Sequence, residues 1–446
     1  MVGEGLGLQA FEGLRAEVEP WLDRCFVSPP HLDMVRGLGS FIVYGDRGSG
    51  KTALCRALLH PRYDPDDSPH WLRVQWQPAL APAGEVPTAS LFRSCGEAVL
   101  EYLLAHVREF RQITPSGREI LRWWIHRCDQ NTLDRQLKEA AVSSSDMRAL
   151  AKSLGHMPRD ILQQPVDTVQ AIRFLLSALR EMGIAGVRVV VDVSAIDQQQ
   201  AIDSLTSLLS NTPLFRDRRF AFKIIAPADA EPSFQSTLAV LKRAVEVCRL
   251  GWDFGRLREI VVRRLARATG RESFTLADLY EEPETLLRWL ERAGGNSPRE
   301  WLYQVYPLVA YYLGRGLEHP VDKKTRTRLR REHPPYFYLD EAQGRVIVGA
   351  REVPVEDIPP QAYKMLLYLY QHRGRIVTRE ELYHCAYLGR EYVPDSSSDE
   401  YEYPFEYRDV VDTTLWRLRA IIEPDPSTPV LIRTIRGKGI RMVSSL

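Results

Sequence analysis

The apolar positions of the first 250 residues gather into five short runs: 41–44, "WLRVQWQP" (71–78), 187–191, "RFAFKIIAP" (219–227) and "AVEVCRLGW" (244–252). The run 187–191 is continuously apolar, as a strand buried on both faces of a parallel sheet must be. Between the second and third runs, apolar residues recur at three- and four-residue spacing in "ASLFRSCGEAVLEYLLAHV", "GREILRWWIHRC" and "DTVQAIRFLLSALREM", which predicts helices over about 88–182. Helical spacing returns at 253–316. After Pro334 and Pro335 the pattern changes to short alternating stretches, "YFYLDEAQGRVIVGAREVPV", with turns at "EAQG" and "GAR". Helices follow in "PPQAYKMLLYLYQHRG", "TREELYHCAYL" and "RDVVDTTLWRLRAIIEP", and then a hairpin, "VLIRTIRGKGIRMV". The expected architecture is an α/β domain with a parallel sheet and a helical lid, followed by an α+β domain. The boundaries are 1–252 with a helical insert at about 88–182, a lid at 253–316, a basic linker at 317–335 and the last domain at 336–446.

At 446 residues the chain is too long for one ordinary domain. Lys plus Arg (59) nearly cancel Asp plus Glu (58), so any surface for a polyanion has to be local. Six widely spaced cysteines, Cys25, Cys55, Cys95, Cys128, Cys248 and Cys385, form no C-x-x-C pair, which argues against zinc and a disulfide framework. The histidines form no metal-ligand pattern, and the pair Trp123 and Trp124 reads as core. The first residues lack a basic segment with an apolar core, and no apolar run approaches membrane-spanning length, so a cytoplasmic location without membrane contact is expected.

Chemistry enters at "FIVYGDRGSGKTALCRALL" (41–59), which fits G-x-x-x-x-G-K-[ST] between a strand and a helix. Gly45, Gly48 and Gly50 let successive N–H groups turn inward onto phosphate oxygens, and the helix beginning near Lys51 adds its positive end. Lys51 then reaches the β- and γ-phosphates, and the Thr52 hydroxyl ligates Mg²⁺. The apolar run 187–191 ends in Asp192, the carboxylate that organises the Mg²⁺ in a second nucleotide motif. The next residue is Val193 where a water-polarising acid is common. Asp197 substitutes for that acid only if its loop folds back, so ATP or ADP with Mg²⁺ is expected to bind and hydrolysis to be slow.

In "GGNSPREWL" a glycine and proline turn opens a helix and places Arg299 in its first turn. Over residues 20–315 the chain resembles the AAA+ and STAND families of P-loop ATPases, especially the branch with an origin-recognition-like lid. The resemblance implies that Arg299 senses the γ-phosphate. It also implies that ATP binding drives homo-oligomers, in which relatives often carry an arginine finger near the place of Arg243.

The run "HPVDKKTRTRLRREHPP" is either a solvated connector or a concentrated phosphate-contacting patch. Beyond it, the leucine-rich first helix, "GRIVTREEL", the pattern of Val411, Asp412, Leu415, Arg417, Leu418 and Arg419, and "RTIRGKG" resemble the OmpR/PhoB-type winged helix of bacterial transcription regulators. Such a domain lays a recognition helix in the major groove of double-stranded DNA while the wing reaches backbone or minor groove. The expected contacts are Arg408, Thr413, Thr414, Trp416, Arg417, Arg433, Arg436 and Lys438. Against this, residues 334–446 hold 14 basic and 17 acidic residues, a net charge of −3. Many of the acids sit in "GREYVPDSSSDEYEYPFEY" (389–407) beside the recognition helix, and Trp416 stands where a polar or basic residue is usual. Two readings follow: an ATP-controlled DNA-binding regulator, or a STAND-like signalling ATPase of a bacterial defence system whose winged helix binds a protein partner.

Overall fold

The computed structural model describes residues 7–11, 22–63, 70–78, 86–155, 157, 167–193, 198–210, 212–241, 244–316, 318–395, 397–398 and 404–443. The chain divides into two compact units: Arg15–Gly251, and Trp252–Leu446 joined by Met1–Leu14.

The first unit is built on a five-stranded parallel sheet. Its strands are β1 (Ser40–Gly45), β2 (Trp71–Gln75), β3 (Gly186–Asp192), β4 (Phe220–Pro227) and β5 (Val245–Arg249), in the order β2-β3-β4-β1-β5. Every residue of β1 is buried, and so are the first six of β3, because apolar layers cover both faces. One layer holds Phe41, Val43, Leu54 and Leu58. The other is the helical insert: helices Pro87–Ala105, Pro115–Ile125 and Thr168–Glu181 bring Leu91, Trp124 and Leu175 against Ile42 and Val189. Trp124 is core, as expected, packed at 4.6 Å centroid distance from Phe92. At the opposite end of the sheet from the phosphate loop, Lys223 is fully buried and its ammonium donates to the carbonyls of Gly37 (2.8 Å) and Gly39 (2.6 Å), which anchors the entry into β1. Burial pulls that ammonium down to about 7.

In the second unit the lid helices Phe254–Thr269, Pro283–Gly294 and Pro298–Gly314 pack around Leu257, Trp289, Trp301 and Leu308. From the N-terminal residues, Ala10 accepts a hydrogen bond from Arg264 of the lid at 2.7 Å. The basic connector is also more than a solvated linker. It forms a helix, Lys323–Glu332, capped by Asp322, whose carboxylate accepts the Thr325 N–H at 2.9 Å. Its inner face carries Leu329 with Arg326 and Arg330, whose guanidinium groups lie 4.5 Å over the Tyr280 ring and 3.9 Å over the Trp289 ring.

The C-terminal part begins with an antiparallel sheet of β6 (Phe337–Asp340), β7 (Arg345–Val348) and β8 (Arg351–Pro354). Helix Pro360–Gln371 follows, then β9 (Ile376–Val377) and a helical segment ending in the π-wound turn Leu382–Tyr387. Helix Pro404–Ile422 precedes the hairpin of β10 (Ile432–Ile435) and β11 (Gly439–Met442), which pairs with β9. Glu423, buried just after the long helix, accepts the N–H groups of Val430 (2.9 Å), Leu431 (2.9 Å) and Ile432 (2.6 Å) and so fixes where the hairpin starts. Replacing it by alanine strands those donors at about 1–3 kcal/mol each. Glu423→Ala should therefore cost at least about 3 kcal/mol, seen in calorimetry as a lowered transition for the second unit, with Glu423→Gln intermediate.

Candidate functional site

The loop between β1 and helix Lys51–Leu59 carries the first site. Gly48 and Gly50 adopt φ of 85° and 90°, values that residues with a side chain rarely tolerate. Gly45 has a different reason to be glycine: a Cβ there would lie 2.5 Å from Ser49 Oγ and 3.2 Å from Lys51 Cγ, filling the cradle the loop encloses. Gly50 caps the helix without a side chain, so the first-turn N–H groups are left for a ligand. Lys51 lies inside the loop, its Nζ donating to the carbonyls of Gly45 and Asp46, both at 2.9 Å. These are the positions of a cation that phosphate oxygens would attract, and the hydroxyl of Thr52 and carboxylate of Asp192 are hard oxygen ligands suited to Mg²⁺.

Asp192 closes β3 on the same side of the sheet as the phosphate-loop helix. There it interacts with the Cys55 thiol, one turn beyond Lys51, which donates to it. Burial first, and then the Asp192 charge, hold Cys55 well above the ordinary thiol range, so it stays a neutral donor. Nothing in the sequence singled out Cys55 among the six cysteines. Its contact arises from packing of the helix on β3, for which neither spacing nor motif gives a signal. Val193 points the other way, fully buried in the layer of the helical insert, with its N–H on Ile225 O at 2.8 Å. An acid at that position would be buried in apolar surroundings, so Val193→Glu is expected to destabilise the sheet rather than restore a catalytic carboxylate. Asp197 and Arg243 lie outside the described residues. Arg299 is exposed in the first turn of Pro298–Gly314, in the second unit.

The second candidate surface is helix Pro404–Ile422 with its wing. Arg408, Thr413, Trp416 and Arg417 are exposed on it, Trp416 by 67%. Two expected contacts are displaced. Thr414 faces inward and its hydroxyl donates to Val410 O at 2.7 Å, so it is taken from the exposed face. Arg433 is half-buried, donating to Val430 O at 3.0 Å and to the Arg331 carbonyl of the linker helix. The wing tip carries Arg436 and Lys438, both exposed. Arg419 is a strut: it donates to Ile432 O (3.0 Å) and Thr434 Oγ1 (2.8 Å), tying the helix to β10. Of the acids on the exposed face, Asp412 is paired with Arg379 at 2.8 Å. Part of the acidic insert lies outside the described residues, but its last tyrosine, Tyr407, is core, stacked on Tyr383 at 4.8 Å.

Residues 355–442 match the family model described as "Transcriptional regulatory protein, C terminal". The C-terminal domain is a winged helix of the OmpR/PhoB type. Similar proteins include the alkaline phosphatase synthesis transcriptional regulatory protein PhoP of Bacillus subtilis, 26% identical over 23% of this chain and 42% of that protein. The transcriptional regulatory protein AfsQ1 of Streptomyces coelicolor is 33% identical over 19% of this chain and 32% of that protein. The chain thus spans less than half the length of the curated relatives it matches, and the likeness is confined to the winged helix. Over nearly the whole chain, solved structures of Cdc6p from Pyrobaculum aerophilum (14% identity, TM-score 0.38, 98% of this chain and 94% of that one) and of the ORC2 protein of Aeropyrum pernix in ADPNP-ADP complexes (13%, TM-score 0.40, 98% and 94%) are similar. At such values the likeness assigns no function. In the first unit the phosphate loop follows β1 of a parallel sheet in which β4 lies between β1 and β3. Among the described residues, no helix is long and apolar enough to cross a membrane.

Lys51→Ala should abolish nucleotide binding in a calorimetric titration while the circular dichroism spectrum stays unchanged, because the Lys51 ammonium is the cation held inside the loop, whereas Arg47 is exposed. Wild-type affinity in that variant would remove the phosphate-loop assignment.

Proposed function

We propose that the chain is a cytoplasmic ATP-binding switch whose nucleotide state controls binding of its winged helix to double-stranded DNA. The reading is carried by one combination: a glycine loop with an inward lysine and an open helix N-terminus in one unit, and an OmpR/PhoB-type winged helix with exposed Arg408, Arg417, Arg436 and Lys438 in the other. ATP would bring the triphosphate charge to which the loop is fitted, and Mg²⁺ would offset part of it. Lys51 and the first-turn N–H groups hold that charge, Thr52 and Asp192 hold the cation, and Cys55 orients Asp192. Arg299 serves as the sensor of the γ-phosphate. With Val193 in the core, no acid stands directly after Asp192 to polarise water, so ATP is held and hydrolysed slowly.

Trp416 favours a second reading. An exposed tryptophan near Asp409 and Asp412 suits a protein partner, as in a STAND-like signalling ATPase that assembles on binding ATP.

Turnover should lie well below the roughly 10 s⁻¹ median of enzymes; a steady-state phosphate-release assay with a fast wild-type rate would contradict this. For the winged helix, Arg417→Ala and Arg436→Ala should each weaken duplex binding. Removing a cation that neutralises a phosphate should flatten the salt dependence by about one unit of slope. Fluorescence anisotropy at several salt concentrations, run beside light scattering with ATP, decides between the readings. Undetectable duplex binding at low salt, with oligomers abolished in Trp416→Ala, would favour the second.

A further inference from the structure

The linker helix Lys323–Glu332 carries six basic residues in ten and divides them between two faces. Arg326 and Arg330 turn inward onto Tyr280 and Trp289. Lys324, Arg328 and Arg331, spaced i, i+4 and i+7, form an exposed row along the opposite face, with Lys323 beside it. An open groove of about 650 Å³ runs between this face and the base of the wing, lined by Lys323, Lys324, Arg328, Arg331, Glu332 and Arg433 among others. That volume would hold a small molecule. Its lining, however, includes no apolar residue, and five of the six residues named are cations.

Like charges packed this closely need a counter-charge. Arg328 reaches Glu332 at only 4.0 Å and Lys323 reaches Glu282 at 3.8 Å. Among the described residues, no ion pair engages Lys324, Arg331, Arg433 or Arg441, and Arg441 lies opposite Arg433 across the wing hairpin. Arg433 is held there by its bond to the Arg331 carbonyl, which joins the groove to the wing. From Arg433 the strand β10 continues for about 7 Å, at roughly 3.3 Å per residue, to Ile435, and Arg436 follows in the turn at the wing tip. The exposed row on the helix adds about 10 Å at 1.5 Å per residue. A negatively charged chain lying on the wing would therefore meet a second set of cations.

We propose that the exposed face of the linker helix and the base of the wing form a phosphate-binding groove that extends the contact of the winged helix along the backbone of duplex DNA. This rests on the winged helix binding DNA, and it explains how a domain of net charge −3 would hold a polyanion: the missing positive charge is supplied by a helix outside the domain. Because the groove lies on the linker helix and the base of the wing, away from the helix expected in the major groove, its cations would meet phosphates and contribute affinity without sequence preference.

The test uses the full chain with Lys324→Gln, Arg328→Gln and Arg331→Gln combined. All three side chains are exposed, and the Arg331 carbonyl that holds Arg433 is untouched. Fluorescence anisotropy on several duplexes from about 50 to 200 mM salt should show affinity reduced about tenfold or more on every sequence. The slope of log affinity against log salt should become shallower by about two to three, at about 0.9 for each phosphate no longer neutralised. Lysine in place of Arg328 and Arg331 should restore most of the slope. Unchanged affinity and slope in the triple variant, while Arg436→Ala still weakens binding, would overturn the groove and leave the winged helix as the DNA-binding element. If the unmodified chain bound no duplex at low salt, the DNA reading itself would fall, and the groove with it.

Discussion

A backbone contact too tight for any side chain joins the lid to the winged helix. Gly349, in the turn between β7 and β8, lies so near Ala293 at the end of helix Pro283–Gly294 that a Cβ would come within 2.0 Å of the Ala293 carbonyl oxygen. Its φ of 61° also requires glycine, and its N–H is satisfied by Tyr336 O at 2.7 Å. On the next residues, Arg351 donates to the last carbonyls of the recognition helix, Ile421 (2.8 Å) and Ile422 (3.0 Å). The turn that touches the lid is thereby fastened to the helix expected to touch DNA. A close-packed joint of this kind transmits displacement instead of absorbing it. The lid and winged helix accordingly form one compact unit, although the sequence places them in separate domains.

The same stretch shows how one motif serves two physical demands. Gly294 is packed under Trp301, where a Cβ would lie 2.4 Å from Cδ1, and Gly295 gives its carbonyl to the Trp301 indole at 2.9 Å. These contacts fix the start of helix Pro298–Gly314 and hence the position of Arg299. Beside it, Glu300 is pressed toward Gly349, and burial raises its carboxyl above the ordinary range. Arg299 and the joint to the winged helix are thus adjacent on one turn. A displacement of Arg299 therefore has only a short path to the winged helix.

Legibility in the sequence followed the range of the interactions. The five strands of the sheet, the helical insert and the terminal hairpin could be read because burial on both faces, helical spacing and turn chemistry are local signals. The phosphate loop was equally plain, since Gly45, Gly50, Lys51 and Thr52 act within one turn of chain. What could not be read were contacts between distant segments: Cys55 on Asp192, Gly349 on Ala293, and Arg433 on the carbonyl of Arg331. Thr414 was misplaced because a polar residue one position from the exposed face looks available until its hydroxyl is seen to bond Val410 O. The basic run read ambiguously because its periodicity was hidden: Arg326 and Arg330 belong to the inner face by stacking on aromatic rings, which hydrophobic spacing does not register.

The proposed switch puts nucleotide chemistry and DNA contact in different units, and the claim that they are coupled is its central one. It is tested most directly by measuring duplex affinity of the full chain at fixed salt without nucleotide, with ADP and Mg²⁺, and with a non-hydrolysable ATP analogue and Mg²⁺. Coupling predicts that the analogue changes affinity about 5- to 150-fold, the range of ordinary allosteric effects, and that Lys51→Ala removes the difference while leaving nucleotide-free binding intact. Equal affinity in all three states, with nucleotide binding verified on the same samples, would contradict it.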